Sequence, residues 1–377
     1  MKLYKTFLPF LLLMVSNMFV NAQDFRLYVG TYTSGASEGI YAFRFDATTG
    51  KAYPIDTARG VSNPSYLCIS RDGNFLYAVN ENGGAKPGAL SAFSIDAASG
   101  KLHFLNSRPS EGDYPCYITV SKNRKWVFAA NYGGGSLVGY ALAPDGSLSD
   151  NKQFIRHQGK GTDPGRQEGP HVHSTTFTPS EDFLLVCDLG LDKIFSYRFR
   201  ENADSSPLQA AQPPYANTQP AHGPRHIDFH PNGKWFYLME EMSGFVSAWT
   251  YKKGRMESFQ LIDAHEKGYT GERGSADIHL SPDGKFLYAS NRFASNNIAI
   301  FAVNEKNGRL ASIGFQSLQG RKPRNFVIDP TGKFLLVANQ DSDDIEVYRR
   351  DPVSGLLQRT ENTIRVGSPV CLKMVAY

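Results

Sequence analysis

Histidine, arginine and glutamate residues stand at the ends of several short apolar segments of this chain. Pro170-His-Val-His173 carries two histidines, Gly223-Pro-Arg-His226 places an arginine beside a histidine, and Glu241 and Arg292 each follow an apolar run. Histidine transfers protons near neutral pH, and the planar guanidinium group of arginine binds carboxylates and phosphates. If the fold gathers these side chains, they would bind a small anion and perform acid–base chemistry on it.

The apolar segments that carry these residues belong to a repeat. In its clearest copy, ADIHLSPDGKFLYASNR at 276–292, a tight turn joins two runs rich in β-formers, which is typical of a β-hairpin. Successive copies of the turn are roughly 50 residues apart, a period found in propellers. The six turns are Ser70-Arg-Asp-Gly-Asn74, Ser121-Lys-Asn-Arg-Lys125, Thr178-Pro-Ser-Glu-Asp182, His230-Pro-Asn-Gly-Lys234, Ser281-Pro-Asp-Gly-Lys285 and Asp329-Pro-Thr-Gly-Lys333.

A second family of turns, such as Asp96-Ala-Ala-Ser-Gly100, has seven members. The first family of turns thus lacks one member. Its absence is explained if Ser368–Ala376 forms a first strand, without a hairpin after it, beside the strands near the N-terminus. The pattern therefore predicts an all-β fold, a seven-bladed β-propeller with four antiparallel strands per blade. The ring would be closed by N- and C-terminal strands in one blade, and residues 23–377 would form one domain.

The topology of a propeller predicts where the polar residues lie. The first strand of each blade lines the central channel, so the starts of first strands and the ends of second strands share one face. Buried arginines are costly without anions, so Arg225, Arg292 and Arg324 together with Glu241 predict a site for a small anionic ligand. Other candidate binding residues at these positions are Glu81, Asn131, Tyr132 and Gln340. Asn131 could instead cap a turn or tie blades together, and His226 and His279 are expected to hydrogen-bond between blades.

His171 and His173 are the candidates for proton transfer. Their H-x-H spacing would place both side chains on one face of a strand, and one of them is expected to be catalytic. A two-histidine metal site is the alternative. No loop rich in Asp or Glu completes a ligand shell, so we predict neither a metal nor a cofactor.

Residues 1–22 have the layout of a secretory signal peptide. Lys2 and Lys5 precede an apolar run at Phe7–Val15, and Val20-Asn-Ala22 resembles a cleavage site. The run is too short to predict a membrane span, so we expect export to the periplasm or the extracellular space. The net charge of +4 is weak and argues against nucleic acid as a partner. A monomer or weak oligomer is expected.

Four cysteines lie within apolar runs, at Cys68, Cys116, Cys187 and Cys371. None has CxxC spacing, and three occupy equivalent positions of separate repeats, which lie too far apart to bridge. We predict buried free thiols.

Several motifs resemble the lactonase family of seven-bladed propellers. They are Arg166-Gln-Glu-Gly-Pro-His-Val-His-Ser174, Ala129-Ala-Asn-Tyr-Gly-Gly-Gly-Ser136, Gly223-Pro-Arg-His226 and the 276–292 unit, and the resemblance spans residues 25–377. This family includes a bacterial 6-phosphogluconolactonase and the fungal carboxy-cis,cis-muconate cyclase. Matched by motif to the cyclase, the resemblance implies a catalytic group comprising His171 or His173, Arg225, Glu241 and Arg292.

The resemblance implies hydrolysis of a sugar lactone to the aldonic acid, a reaction of carbohydrate metabolism. One histidine would be the general base, aided by Glu241, and the arginines would bind the substrate anion and stabilise the oxyanion. Because the leader predicts export, the substrate stays open between a phosphorylated and a plain sugar lactone. The alternatives are an exported non-catalytic propeller that binds a sugar acid or a protein, and a lactonising cyclase of the muconate type.

Overall fold

The computed structural model describes residues 24–376, and the leader predicted at residues 1–22 lies outside them. The described chain forms twenty-eight strands and one short 3₁₀ helix, Leu189–Leu191. In chain order the strands are β1 Asp24–Thr31, β2 Gly39–Asp46, β3 Lys51–Arg59, β4 Leu67–Ile69, β5 Phe75–Asn80, β6 Ala89–Ile95, β7 Leu102–Pro109, β8 Pro115–Val120, β9 Trp126–Asn131, β10 Ser136–Leu142, β11 Leu148–Arg156, β12 Val172–Phe177, β13 Phe183–Asp188, β14 Lys193–Phe199, β15 Leu208–Asn217, β16 Pro224–Phe229, β17 Trp235–Glu240, β18 Phe245–Lys252, β19 Arg255–Asp263, β20 Ser275–Leu280, β21 Phe286–Asn291, β22 Asn297–Val303, β23 Leu310–Ser317, β24 Pro323–Ile328, β25 Phe334–Asn339, β26 Asp344–Arg350, β27 Leu357–Arg365 and β28 Pro369–Ala376.

These strands pair as seven separate antiparallel sheets of four, which are the blades of a seven-bladed β-propeller. Blade 1 has the order β28-β1-β2-β3, and blades 2 to 7 each take four consecutive strands, from β4–β7 to β24–β27. The antiparallel pairing of β28 with β1 closes the ring. The predicted blade count, the four-stranded blades and the closure by both ends of the chain are confirmed.

The turn between the first two strands of a blade is set by its sequence. In blade 6, the Ser281 hydroxyl accepts the Phe286 N–H at 3.0 Å, and the Gly284 N–H donates to the Ser281 carbonyl at 2.8 Å. Gly284 has a φ of 71°, a left-handed conformation that glycine adopts without strain. Arg124 and Glu181 take the same conformation in the two turns that lack glycine, so the turn geometry is kept where the residue type is not.

The core lies between neighbouring blades. Every residue of β9, β13, β21 and β25 is buried, because each of these second strands is covered on both faces. No residue of the outer strand β7 is fully buried, and its Phe104 is 60% exposed. Burial of one large aliphatic or aromatic side chain contributes about 1.5–3 kcal/mol. The fully buried second strands therefore give a rigid frame, and the residues at their ends are held firmly.

A tyrosine of the second strand links four of the blades to the next blade. Its hydroxyl donates to the carbonyl of a glycine in the turn between the third and fourth strands of the neighbour. The pairs are Tyr28 with Gly100, Tyr77 with Gly146, Tyr237 with Gly308 and Tyr288 with Gly355, at 2.7 to 3.1 Å. Each buried phenol is thereby satisfied, and the blades are fixed in relation to one another.

All four cysteines are free thiols; three are buried and Cys68 is partly buried. This confirms the prediction made from their spacing. Within residues 24–376, no helix has both the length and the apolar character needed to cross a membrane.

Candidate active site

One set of pocket residues comes from bulges in the innermost strands. Cys116, His173, Arg225 and Arg324 are each the second residue of β8, β12, β16 and β24. In all four strands the pairing with the second strand shifts at this residue, so that it has no partner across the ladder. A bulge of this kind redirects a side chain. Three of the four side chains line one cavity in the funnel, and that of Arg225 lies directly behind it.

The other set follows the second strands. Tyr32, Glu81, Tyr132, Glu241 and Arg292 are the residues immediately after β1, β5, β9, β17 and β21, and all five line the same cavity. The fully buried strands hold them at one end of the central channel. The long loop between β11 and β12 adds Arg166. The cavity has a volume of about 260 Å³, which suits one small molecule.

Glu241 is the centre of a cluster of arginines. Its Oε1 lies 2.7 Å from Arg166 Nη2, and its Oε2 lies 2.8 Å from Arg225 Nε and 3.3 Å from Arg292 Nη2. Burial disfavours the charged carboxylate, but the positive charges of Arg292 and Arg225 outweigh burial and hold the pKa of Glu241 well below its usual range. Glu241 is therefore an anion that binds arginines, and it is a poor proton acceptor.

The arginines exceed the charge that Glu241 can neutralise. Burial lowers the pKa of Arg292 to about 10; Glu241 opposes this shift, and the charges of Arg225 and Arg324 add to it. Such crowding of buried cations is costly without an additional anion. The cavity is thus electrostatically suited to an anionic or strongly polar ligand.

His173 is buried between Glu241, which follows a second strand, and Cys116, which lies at the bulge of an innermost strand. Its Nε2 lies 3.7 Å from Glu241 Oε2, and its Nδ1 lies 3.9 Å from Cys116 Sγ. Burial, together with the nearby charge of Arg225, holds the pKa of His173 well below its usual value. The ring is therefore neutral at neutral pH in the free protein.

Arg324, Tyr32 and Glu81 form another wall of the cavity. The Arg324 guanidinium lies over the Tyr32 ring, 5.6 Å from its centroid, and the Tyr32 hydroxyl donates to Glu81 Oε2 at 3.0 Å. Ser65 donates to the same carboxylate oxygen. Within residues 24–376, Arg324 makes no hydrogen bond or ion pair through its side chain. Its donors are available to a ligand.

The structure separates the two candidate histidines. His173 lines the cavity, whereas His171 precedes β12 and lies outside the cavity lining. The His171 ring stacks on Tyr132 with centroids 4.6 Å apart, and its Nδ1 and Nε2 face the Tyr132 carbonyl at 3.0 Å and Glu168 at 3.1 Å. The expectation that both project from one strand face is wrong, because only His173 lies in the strand and β12 is bulged there.

Three further predicted residues are placed differently from the expectation. Arg225 is 2% exposed and reaches Glu241 from behind, so that it does not line the cavity. Asn131 is fully buried, and its amide donates to the Ser110 carbonyl at 2.8 Å and to Ser136. Gln340 also lies outside the cavity lining. Asn131 therefore has the structural role that was the alternative to ligand binding: it ties the segment between blades 2 and 3 to its own strand.

The sequence interpretation missed Tyr32, Cys116 and Arg166. β1 is the second strand of its blade, and Tyr32 follows it just as Glu81 follows β5. The repeat position of Tyr32 could therefore have identified it as a pocket residue. Cys116 occupies the bulge position of His173 and Arg225. Arg166 had no repeat signal, because it lies on an irregular loop whose path is fixed by Gln167. The buried Gln167 amide binds the Leu189 carbonyl and the backbone N–H groups of Thr162 and Asp163.

A second polar layer lies beside the cavity. His226 Nδ1 contacts Asp277 Oδ1 at 2.8 Å across the boundary between blades 5 and 6, which confirms the hydrogen bond expected between blades. His279 Nε2 contacts the other oxygen of Asp277 at 3.0 Å within its own blade. Its Nδ1 faces Asp228 Oδ2 of blade 5 at 3.9 Å, so His279 does contact the neighbouring blade, at ion-pair rather than hydrogen-bond distance. Among residues 24–376, no group of three or more His, Cys, Asp or Glu side chains is arranged to hold a metal ion.

Comparison with known proteins agrees with the seven-bladed fold. The family model of the lactonase seven-bladed β-propellers matches residues 26–374. A 6-phosphogluconolactonase of Formosa agariphila is 37% identical over 93% of this chain and 99% of its own. A structure described as a candidate 6-phosphogluconolactonase of Bacteroides fragilis is 43% identical with a TM-score of 0.89, covering 94% of this chain and 98% of that one.

The periplasmic gluconolactonase of Pseudomonas aeruginosa is 39% identical, also with a TM-score of 0.89, and the match covers 94% of this chain and 99% of that one. The family match spans nearly the whole propeller, and these relatives share its full length. The chain belongs to the lactonase family of seven-bladed β-propellers.

Proposed function

We propose that this protein is a lactonase that hydrolyses a sugar lactone to the aldonic acid. Fold alone would not support a reaction. The observation that carries the proposal is the guanidinium of Arg324, which forms no ion pair with the described residues and shares a cavity of about 260 Å³ with an ionised carboxylate and a neutral imidazole. Relatives named as 6-phosphogluconolactonase and gluconolactonase support the same reaction.

In this proposal the residues of the site have separate roles. Arg292 and Arg324 bind the lactone carbonyl or an attached anionic group and stabilise the negative charge that develops on the carbonyl oxygen. His173 and Tyr132 contact the lactone, and the negative charge of Glu241 stabilises any positive charge that forms on His173. Arg225 acts through Glu241, which it holds in place. His171 supports Tyr132 at the rim.

The location and assembly of the protein are part of the proposal. The charged and apolar leader, together with the periplasmic relative, supports export to the periplasm or beyond. The assembly we propose is a monomer or weak oligomer.

The experiment is a pH-stat assay of residues 23–377 with 6-phosphoglucono-δ-lactone and with glucono-δ-lactone. Hydrolysis releases a proton, so base uptake measures turnover once the uncatalysed rate in the same buffer is subtracted. Turnover of either lactone that is lost in Arg292→Gln supports the proposal. Ligand-induced thermal stabilisation without any turnover would refute it in favour of a non-catalytic binding protein.

A further inference from the structure

The cavity contains two carboxylates in opposite environments. Both oxygens of Glu241 are engaged by arginines, through Arg166, Arg225 and Arg292. Glu81 has no cationic partner within ion-pair distance among residues 24–376. Where two carboxylates share a site, the difference in their surroundings separates the permanent anion from the group that exchanges protons. Glu241 has the first role.

One oxygen of Glu81 remains available to a ligand. Its Oε2 accepts the hydroxyl protons of Tyr32 and Ser65, whereas its Oε1 has no hydrogen-bond partner in the described chain. The unpartnered Oε1 is not buried, and Glu81 lines the cavity. Two neutral donors thus orient the carboxylate and leave its second oxygen facing the cavity, where it can contact a bound water molecule.

The backbone around Glu81 is also fixed. The Glu81 N–H donates to the Asn63 carbonyl at 3.0 Å, and the Asn63 amide donates to the Glu81 carbonyl at 3.3 Å. Asn63 itself adopts a left-handed conformation with φ 44°, and its side chain binds the Thr33 N–H. Such support keeps a catalytic group in one geometry.

Glu81 and Arg324 are neighbours of the same Tyr32 ring. One sugar lactone could therefore place its carbonyl oxygen at Arg324 while its carbonyl carbon faces a water molecule bound at Glu81. His173 offers a poorer acceptor, because its two ring nitrogens face Glu241 and Cys116. The titratable and charged groups that face Glu81 are Tyr32, Cys116 and Arg324.

We propose that Glu81 is the proton-transfer residue of the lactonase reaction, an assignment that rests on the proposed function. Glu81 takes a proton from water as the water oxygen attacks the lactone carbonyl carbon, and the carbonyl π electrons move to the oxygen beside Arg324. Collapse of this oxyanion breaks the bond to the ring oxygen, which receives the proton from Glu81. The new carboxylic acid then releases its proton to solvent, so that lactone and water give aldonate and one proton.

The test compares the full pH–rate profiles of wild type and Glu81→Gln. Glutamine keeps an acceptor for Tyr32 and Ser65 but has no exchangeable carboxyl proton. We expect kcat to fall by about 10²–10⁴, little change in KM, and loss of the acid limb of kcat against pH. Glu81→Ala should regain activity with added formate, a small carboxylate that can occupy the vacated space.

Two further variants make the outcome specific to Glu81. Glu257→Gln, an exposed position on β19, should match wild type. Glu241→Gln should raise KM while the acid limb of kcat persists. If Glu81→Gln keeps kcat within threefold, or if the acid limb survives in it and disappears in His173→Gln, the assignment to Glu81 is wrong while the lactonase function stands. A wild type that hydrolyses neither lactone refutes the proposed function and this assignment together.

Discussion

Arg225 binds Glu241 from behind the cavity, with its Nε 2.8 Å from Glu241 Oε2. The guanidinium is 2% exposed, and its Nη1 also donates to the Ala276 carbonyl in the next blade. Arg225 therefore connects the wall of the cavity to the contact between blades 5 and 6. Its charge fixes a carboxylate that in turn binds two arginines of the cavity.

Replacement of Arg225 by methionine should lower both stability and activity. The change removes one partner of a buried ion pair. The expected loss of unfolding free energy is about 2–4 kcal/mol, and it is limited because Arg166 and Arg292 still bind Glu241. Urea denaturation measures this loss. The double variant Arg225→Met/Glu241→Gln should lose much less unfolding free energy than the sum of the two single losses, since the two residues act as a pair. Additive effects would show that they act independently.

Arg324→Gln should weaken substrate binding without destabilising the protein. Arg324 forms no ion pair with residues 24–376, and loss of a charged hydrogen bond to a ligand corresponds to a roughly ten- to hundredfold rise in KM. The thermal midpoint should stay the same or increase. Arg321→Gln is the matched control, since Arg321 is exposed and binds the Asp341 carbonyl. A KM that changes equally in both variants would exclude a specific role for Arg324.

Arg166→Gln should reduce kcat/KM by about three- to tenfold and change stability by less than about 1 kcal/mol, because its side chain is 47% exposed and its ion pair is partly screened. The expected loss reflects weaker fixation of Glu241 and Tyr132, whose hydroxyl accepts from Arg166 at 3.2 Å. Lys160→Gln, an exposed change in the same loop, should have no effect. Equal losses in both variants would indicate a general disturbance of the loop.

Stability should fall as the pH is lowered from about 7.5 to 5. Burial and the charge of Arg225 lower the pKa of His226 to about 3, against about 6.5 for an unfolded histidine. The unfolded state therefore binds more protons, and stability is lost as the pH falls below about 6.5. Urea midpoints measured across this range test the trend, and His226→Gln should flatten it.

His279 supplies a control of opposite sign. Burial opposes protonation of His279, but the charge of Asp277 outweighs burial and raises its pKa. Its contribution to stability is fully present below the unfolded pKa and is lost as the pH rises through the folded pKa. His279→Gln should therefore steepen the loss of stability towards acid pH. If both variants shift the profile in the same direction, this description of the Asp277 layer is wrong.

The repeat was sufficient to predict the fold, because the turn spacing and the seventh first strand at the C-terminus allow few other arrangements. The membership of the site was predicted less well. Repeat position identified Glu241, Arg292 and Arg324, but a register shift of one residue decides which side chain of an innermost strand faces the funnel. The sequence shows no bulge, so Cys116 was not expected in the cavity. Arg225 has the same bulge position, but its side chain is held outside the cavity lining by Glu241 and the Ala276 carbonyl.

Irregular segments account for the remaining difference. Arg166 reaches Glu241 only because a buried glutamine organises its loop, and such contacts leave no periodic signal. Asn131 and Gln340 have the residue types and positions of ligand contacts. Whether an amide at a strand end binds a ligand or a neighbouring turn depends on local packing, which the repeat does not encode.

Closure of the ring by β28 has a consequence for biosynthesis. The first blade cannot be completed until the last residues of the chain have left the ribosome, because β28 must pair with β1 from the other end of the sequence. Until then β1 has an unpaired edge, and the ring remains open. The native fold is thus reached only after β28 has been translated, and the blades made before it must wait with an open ring.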